Sequence, residues 1–281
     1  MPHSFADRVA VVTGGTQGIG WALTQALADA GAVVYSCGYS AGSLQEAQAA
    51  LAALPWSDRI HLTQLDVTNR PLYETWLEEI YGRHGRLDIL IHNAAFVRWD
   101  DVLAMSLAEA DRSMAVGYNG MVTGVKKTLP WMLAAGYGRI VNIGSLTARI
   151  FVPGASAAYA ATKAAIDAYT LMLQIELAHT PVKATLVRLG TVAGTKFFQE
   201  HVPVSRMAPL TRFIPALTPP VVATAVLRAM ARPQEIVTLP GYMHPLTLIY
   251  NLFPRFSRWL AQKGGANTRD YGRVSWRYPA E

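Results

Sequence analysis

Tyr159 and Lys163 stand four residues apart in the stretch SAAYAATKAAIDAY, and residues so spaced share one face of a helix. A phenol beside an ammonium group can do acid–base chemistry, because the positive charge favours phenolate and pulls down a pKa that otherwise lies near 10. Such a group hands a proton to a carbonyl oxygen as a hydride reaches carbon, or runs the same step backwards on an alcohol. Read alone, Tyr-x-x-x-Lys describes an ordinary pair on a helix surface equally well. A second stretch, TGGTQGIG (13–20), places four glycines in eight residues between the apolar run RVAVV and the helix-like WALTQALADAG. Glycine costs roughly 0.5–1 kcal/mol relative to alanine in regular structure, so a cluster there implies that backbone approaches something closely. A tight turn, bare backbone and a helix N-terminus whose free N–H groups favour negative charge make a cradle for a dinucleotide pyrophosphate. An ordinary strand-to-helix turn also uses one or two glycines.

The elements that must hold these groups follow from hydrophobic pattern. Short Val- and Ile-rich runs occur at 8–13, 32–37, 59–65, 87–92, 138–145, 182–189 and 235–240, with helical patterns near 18–30, 42–53, 68–84, 106–134, 157–178 and 218–231. Runs apolar on both faces and separated by helices predict a Rossmann-like, doubly wound α/β sheet of about seven parallel strands, helices on both faces. Its ligand would sit at the carboxyl ends of the strands. Residues 1–241 read as one domain, with an irregular segment at 190–217 in the position of a substrate lid and an extension at 242–281.

In this frame Gly14, Gly18 and Gly20 follow a strand and open a helix, and their TGxxxGxG spacing resembles the short-chain dehydrogenase/reductase family. Further matches come in family order: LDV (65–67), HNAA (92–95) against the family's NNAG, IGS (143–145) and YAATK (159–163). The resemblance covers about residues 6–240. It implies Tyr159 as general acid/base, Lys163 as the group that lowers its pKa and binds the ribose, and Ser145 as the residue that orients the substrate oxygen. It implies a nicotinamide cofactor held by Gly14, Thr16, Gln17, Gly18, Ile19 and Gly20 in the first turn. Tyr39, Asp66 and Val67 would lie at the adenosine end, and Asn93, Ala94, Tyr159, Lys163, Gly190 and Val192 further along. Asp66 can alternatively cap the helix that starts near Thr68. The implied activity is interconversion of a carbonyl and an alcohol by hydride transfer.

The chain departs from the family pattern in several places. The catalytic Asn expected on the helix after HNAA falls at Gly117; Asn119 lies two residues on, about 200° around a helix, and cannot stand in for it. Ala95 replaces a usual Gly. Ser145 to Tyr159 is one residue longer than usual, and LGTVAGT (189–195) puts Leu189 for Pro and Thr195 one place late. The second strand ends in CGYS, without the Asp that would favour NAD or the Arg that would pair a 2′-phosphate. Tyr39, Ser40 and Ser43 can donate to a phosphate, which favours NADP(H) slightly over NAD(H); Gln17, where NADP users often carry Lys or Arg, weighs the other way.

The 281 residues are 51% hydrophobic and 16% charged, enough for a large core. The net charge of +6 gathers in the C-terminal segment, so nucleic acid is not an expected partner. A single cysteine, Cys37, excludes an internal disulfide and a multi-cysteine zinc site, and no metal is expected. The N-terminal MPHSFADR lacks the apolar run of a secretion signal and no run spans a bilayer, so a cytoplasmic protein is the expectation. Phe96, Arg149, Phe151, Phe197 and Phe198 are candidate substrate contacts; Phe197, Phe198, Met207, Phe213 and Ile214 suggest an apolar pocket, and Arg149 can meet an anionic group or face solvent. The tail HPLTLIYNLFPRFSRWLAQKGG (244–265) is a basic amphipathic stretch, broken at Pro254, that can cover a pocket, pack on a partner or touch a membrane surface through 244–263. Homo-oligomerisation, as dimer or tetramer, is implied by the resemblance alone. The leading expectation is an NADPH ketoreductase for a hydrophobic substrate. The alternatives are non-redox acid–base chemistry by the Tyr–Lys pair and a non-catalytic nucleotide-binding protein.

Overall fold

The computed structural model describes residues 5–151, 156–195 and 216–264, with side chains up to residue 259 at the C-terminal end. The apolar runs form β1 (Val9–Thr13), β2 (Val33–Gly38), β3 (Ile60–Gln64), β4 (Ile89–His92), β5 (Gly138–Ser145), β6 (Val182–Leu189) and β7 (Ile236–Leu239). Among the described residues they make one parallel sheet in the order β3-β2-β1-β4-β5-β6-β7. The predicted Rossmann-like sheet is thus the observed fold. Helices α1 (Gly18–Asp29), α2 (Ala41–Leu51), α3 (Arg70–His84), α4 (Leu107–Met114), α5 (Gly120–Ala134), α6 (Ala157–Glu176) and α7 (Pro219–Ala231) alternate with the strands, and α8 (Met243–Leu252) and α9 (Pro254–Gly264) follow them.

Alternation along each strand feeds two cores. On β1, Ala10 and Val12 pack with Leu23 and Leu27 of α1 and Val226 of α7, whereas Val9 and Val11 pack with Leu77 of α3, Val125 of α5 and Ile166 of α6. Both faces are therefore covered, as parallel strands require. The chain runs outward in opposite directions from the central pair: Thr13 is opposite Cys37 on β2 and opposite His92 on β4. This reversal opens a crevice at the carboxyl ends of β1 and β4, where doubly wound sheets bind ligands. Cys37 is fully buried there, and burial pushes its thiol up to about 12, so it acts as a small apolar filler.

One predicted helix divides. The pattern at 106–134 becomes α4, a π turn at Ala115–Asn119, and α5. A capping box at Ser106 and Glu109 starts α4. Gly117 sits inside the π turn against α6, where an added Cβ would lie 2.6 Å from Thr162 Cγ2.

Candidate active site

The glycine turn is shaped by its neighbours. Gly14 has φ +63°, and a Cβ there would fall 2.9 Å from Ala94 Cα; Gly18 has φ +53°. A Cβ on Gly20 would meet Gly14 O at 2.0 Å, so the turn folds back against the start of α1 with no space for a side chain. Gln17 at the N-cap of α1 is exposed and makes no side-chain cap, and the first turn holds no acid. The free N–H groups of this 12-residue helix are thereby left to an anion. These residues fit the pyrophosphate of a nicotinamide dinucleotide. Asn93 braces the turn, donating from Nδ2 to Gly14 O at 3.0 Å and to Thr13 O at 3.3 Å, while Ala94 N–H donates to Thr13 Oγ1 at 3.2 Å. Its side chain shapes the cradle from β4. Ile19 packs into the core behind the turn.

At the end of the crevice expected to take adenosine, Thr16 is buried and its hydroxyl lies 2.9 Å from Ser43 Oγ, tying the turn to α2. Tyr39 is exposed, with the Arg112 guanidinium 5.2 Å above its ring. Arg112 comes from α4 and also donates to Asp66 Oδ2 at 2.7 Å and Thr68 Oγ1 at 3.0 Å. Asp66 accepts from the Thr68 N–H at 2.9 Å and does not cap α3, whose N-cap is Asn69. Burial works to raise the Asp66 carboxyl, but the Thr68 N–H, Arg112 and the Thr68 hydroxyl outweigh it and hold it below its ordinary value. Val67 is buried beside this cluster. Arg112 was invisible in the sequence because it is 46 residues from Asp66.

Ser145 ends β5, and Tyr159 and Lys163 project from the first turns of α6, which Ser156 caps by accepting from Tyr159 N. The Tyr159 hydroxyl is hydrogen-bonded to the Ser145 side chain. Ser145 Oγ also accepts from Thr147 N at 3.2 Å and Thr147 Oγ1 at 3.0 Å, and donates to Leu189 O at 3.4 Å, so its position is fixed from three sides. Lys163 is buried; its Nζ donates to Ile143 O at 2.7 Å and lies 5.6 Å from the centroid of the Tyr159 ring. The phenol and the ammonium thus meet at the open edge of the sheet. The expected fall of the phenol toward neutrality is corrected by the structure: burial pushes Tyr159 up to about 12 against the lowering effect of Ser145. Burial acts on the ammonium as well and brings it down to about 8.

His92 stands where the family has the first Asn of NNAG. It is buried, with Nδ1 2.8 Å from Asn142 Oδ1; Asn142 Nδ2 donates to Thr170 Oγ1, which assigns the His92 proton to Nδ1. Its Nε2 and the Tyr73 hydroxyl are buried without partners among the described residues, and both face Gly124, whose added Cβ would lie 2.5 Å and 2.6 Å from them. Burial lowers His92 to about 4 against the opposing hydrogen bond to Asn142. Unfolded chains take up this proton near 6.5 and the folded protein resists until about 4, so stability is full above the first value and falls as pH drops through the interval. The expected loss is about 3 kcal/mol, and His92→Asn should flatten it; urea midpoints across this range check the slope.

Gly190 N–H donates to Leu239 O at 2.7 Å, and Val192 bridges to Leu217, which fixes the turn leaving β6. Thr195 is buried and faces Gly18, its Cγ2 3.3 Å from where a Cβ would be, so it belongs to the cradle despite its displaced spacing. On the substrate side, Trp99 packs on Tyr159 with ring centroids 5.6 Å apart, and its indole N–H is buried without a partner among the described residues. Nothing in the sequence singled it out. The carbonyl of Phe96, which precedes it in the same loop, accepts from Ser113 Oγ at 3.4 Å. Arg149 is held by Asp167, Nε to Oδ2 2.7 Å, and Phe151 is exposed with its ring edge against Tyr250 of α8. Phe197 and Phe198, with most of the expected lid, lie outside the described residues. Asn119 is exposed, consistent with its exclusion as a substitute at Gly117.

Comparison with known proteins places this arrangement. The short chain dehydrogenase family model matches residues 8–204. An uncharacterised oxidoreductase of Staphylococcus aureus (strain MRSA252), SAR2567, is 31% identical over 230 residues, 82% of this chain and 94% of that protein. A metagenomic short-chain oxidoreductase solved in complex with NADP superposes with a TM-score of 0.66 at 25% identity, over 84% of this chain and 98% of that one. A short-chain dehydrogenase/reductase from Burkholderia phymatum, solved with NAD, shares the fold with a TM-score of 0.77 at 20% identity, over 97% of this chain and 99% of that one. From its first glycine turn to the helix bearing Tyr159 and Lys163, the chain belongs to the short-chain dehydrogenase family and is an oxidoreductase.

Proposed function

We propose that the protein is an NADPH-dependent ketoreductase that reduces the carbonyl of a medium to large hydrophobic substrate to an alcohol. The observation that carries this is the Tyr159 hydroxyl bonded to Ser145 above a buried Lys163, at the sheet edge beside the glycine turn. A phenol pushed up to about 12 keeps its proton at neutral pH and so has one for the carbonyl oxygen, whereas oxidation needs the phenolate; it is a weak acid, and Lys163 must offset that as the charge forms. When bound, the nicotinamide supplies the hydride. Tyr159 gives its proton to the carbonyl oxygen, Ser145 fixes that oxygen by hydrogen bonding, and Lys163 stabilises the phenolate as it forms. Gly117 supplies no side chain for proton return; the Thr162 methyl faces it, and the Thr162 hydroxyl lies 3.0 Å from Ser113 Oγ. The same gap keeps non-redox acid–base chemistry as the second reading.

Preference for NADP(H) rests on Tyr39 and Ser40 after β2 and Ser43 in the first turn of α2, with no carboxylate among them, and on the Arg112 guanidinium above Tyr39. Trp99 against Tyr159, with Phe96 and Phe151 nearby in the chain, supports an apolar substrate, and the free indole N–H would meet an acceptor on it. Exposed Leu133 on α5 and Met172 and Ile175 on α6 support a homo-oligomer. No helix among the described residues is long and apolar enough to cross a membrane; a cytoplasmic location fits that. The test is nicotinamide absorbance with NADPH or NADH against a panel of ketones and alcohols. Consumption of NADPH by aryl or long-chain ketones, at lower concentration than NADH, is the expected result. No consumption with any carbonyl would overturn the proposal.

A further inference from the structure

Helices α8 and α9 invert the usual arrangement of a surface helix, whose apolar stripe faces inward. Among their described side chains, those that are buried are Thr247 and Ser257. Leu248, Ile249, Leu252, Phe253, Phe256 and Trp259 are instead between 48% and 73% exposed. The Thr247 hydroxyl is satisfied within its own helix, donating to Met243 O at 2.8 Å, while Tyr250 ties α8 to the fold by donating from its hydroxyl to Phe151 O at 2.9 Å. Phe256 and Trp259 pack on each other with centroids 5.8 Å apart and planes inclined by 29°. Contiguous apolar surface of this kind marks an interaction site. Its charge is one-sided: residues 241–264 contain no Asp or Glu, while Arg255 and Arg258 alternate in the chain with Phe253, Phe256 and Trp259, and Lys263 follows.

We propose that α8 and α9 dock the protein on an anionic membrane surface, lying in the plane of the interface with the aromatics among the acyl chains and the arginines at the phosphates. Apolar and aromatic groups beside cations, with carboxylates excluded, match that boundary on both counts. A second copy fits less well, because a two-fold interface sets the same patch against itself and brings Arg255 and Arg258 toward their own counterparts.

Co-sedimentation of the full chain with vesicles tests this, using phosphatidylcholine alone or mixed with phosphatidylglycerol. Binding to the mixed vesicles only, weakened by salt, is expected. Arg255→Glu/Arg258→Glu and, separately, Leu252→Ser/Phe256→Ser should each lower partitioning at least tenfold while leaving the melting temperature unchanged. Absence of binding to phosphatidylglycerol vesicles would overturn the proposal, as would binding by both variants as strong as that of the parent chain. A dimer that dissociates in Leu252→Ser/Phe256→Ser, with no vesicle binding by the parent chain, would assign the face to self-association instead.

Discussion

Tyr159→Phe should lower carbonyl reduction by about 10²–10⁴-fold, the usual contribution of a positioned general acid. The substitution keeps the ring that packs on Trp99 at 5.6 Å and removes only the hydroxyl that meets Ser145. The glycine turn, Asn93 and α1 are untouched, so the variant should bind NADPH as the parent does, measured by quenching of tryptophan emission. Loss of turnover with retained nucleotide binding separates chemistry from folding. If the variant oxidises NADPH at the parent rate, Tyr159 is not the acid. If the parent converts a substrate without net consumption of nucleotide, and Tyr159→Phe stops it, the non-redox reading holds.

Asp167→Ala should cost about 3–5 kcal/mol of stability, since it strands a buried cation. Asp167 is 1% exposed and accepts from Arg188 Nε at 3.0 Å, Arg188 Nη2 at 2.8 Å and Arg149 Nε at 2.7 Å. Arg188 is 7% exposed on β6 and would keep its charge with no carboxylate beside it. At about 2–4 °C per kcal/mol for a domain of this size, the melting temperature should fall by roughly 10 °C. Asp167→Leu/Arg188→Met removes the two buried charges, leaves the third member, Arg149, able to turn its partly exposed side chain to solvent, and should recover much of that loss. A double variant as unstable as Asp167→Ala would show that the pair does more than neutralise itself.

The parts of this fold that were readable in advance are those in which local spacing fixes the outcome. Parallel strands buried on both faces must be continuous apolar runs, and β5 and β6 were bounded almost to the residue. Tyr159 and Lys163 are one helical turn apart, and the glycine turn is a contiguous stretch, so both sites could be read from spacing. The π turn at Ala115–Asn119 could not, because it widens a hydrogen-bonded ring without disturbing the apolar period; Gly117 was the sole clue. Arg112 above Tyr39 and Trp99 against Tyr159 depend on strand order and loop path, to which sequence separation is blind. The acidity of Tyr159 was misjudged for the same reason: a neighbouring ammonium is visible as i+4, whereas desolvation belongs to the assembled site.

Helix α6 carries Tyr159, Lys163 and Asp167 at successive intervals of four, reaching Ser145, Ile143 and Arg188 respectively. A single rod therefore sets the height of the proton donor above the sheet, and its lowest rung is bolted to β6. Any slide or roll of that rod would break all three attachments together, so mutational drift in substrate range has to come from the loops around the rim, such as the one bearing Trp99, while the rod itself stays fixed.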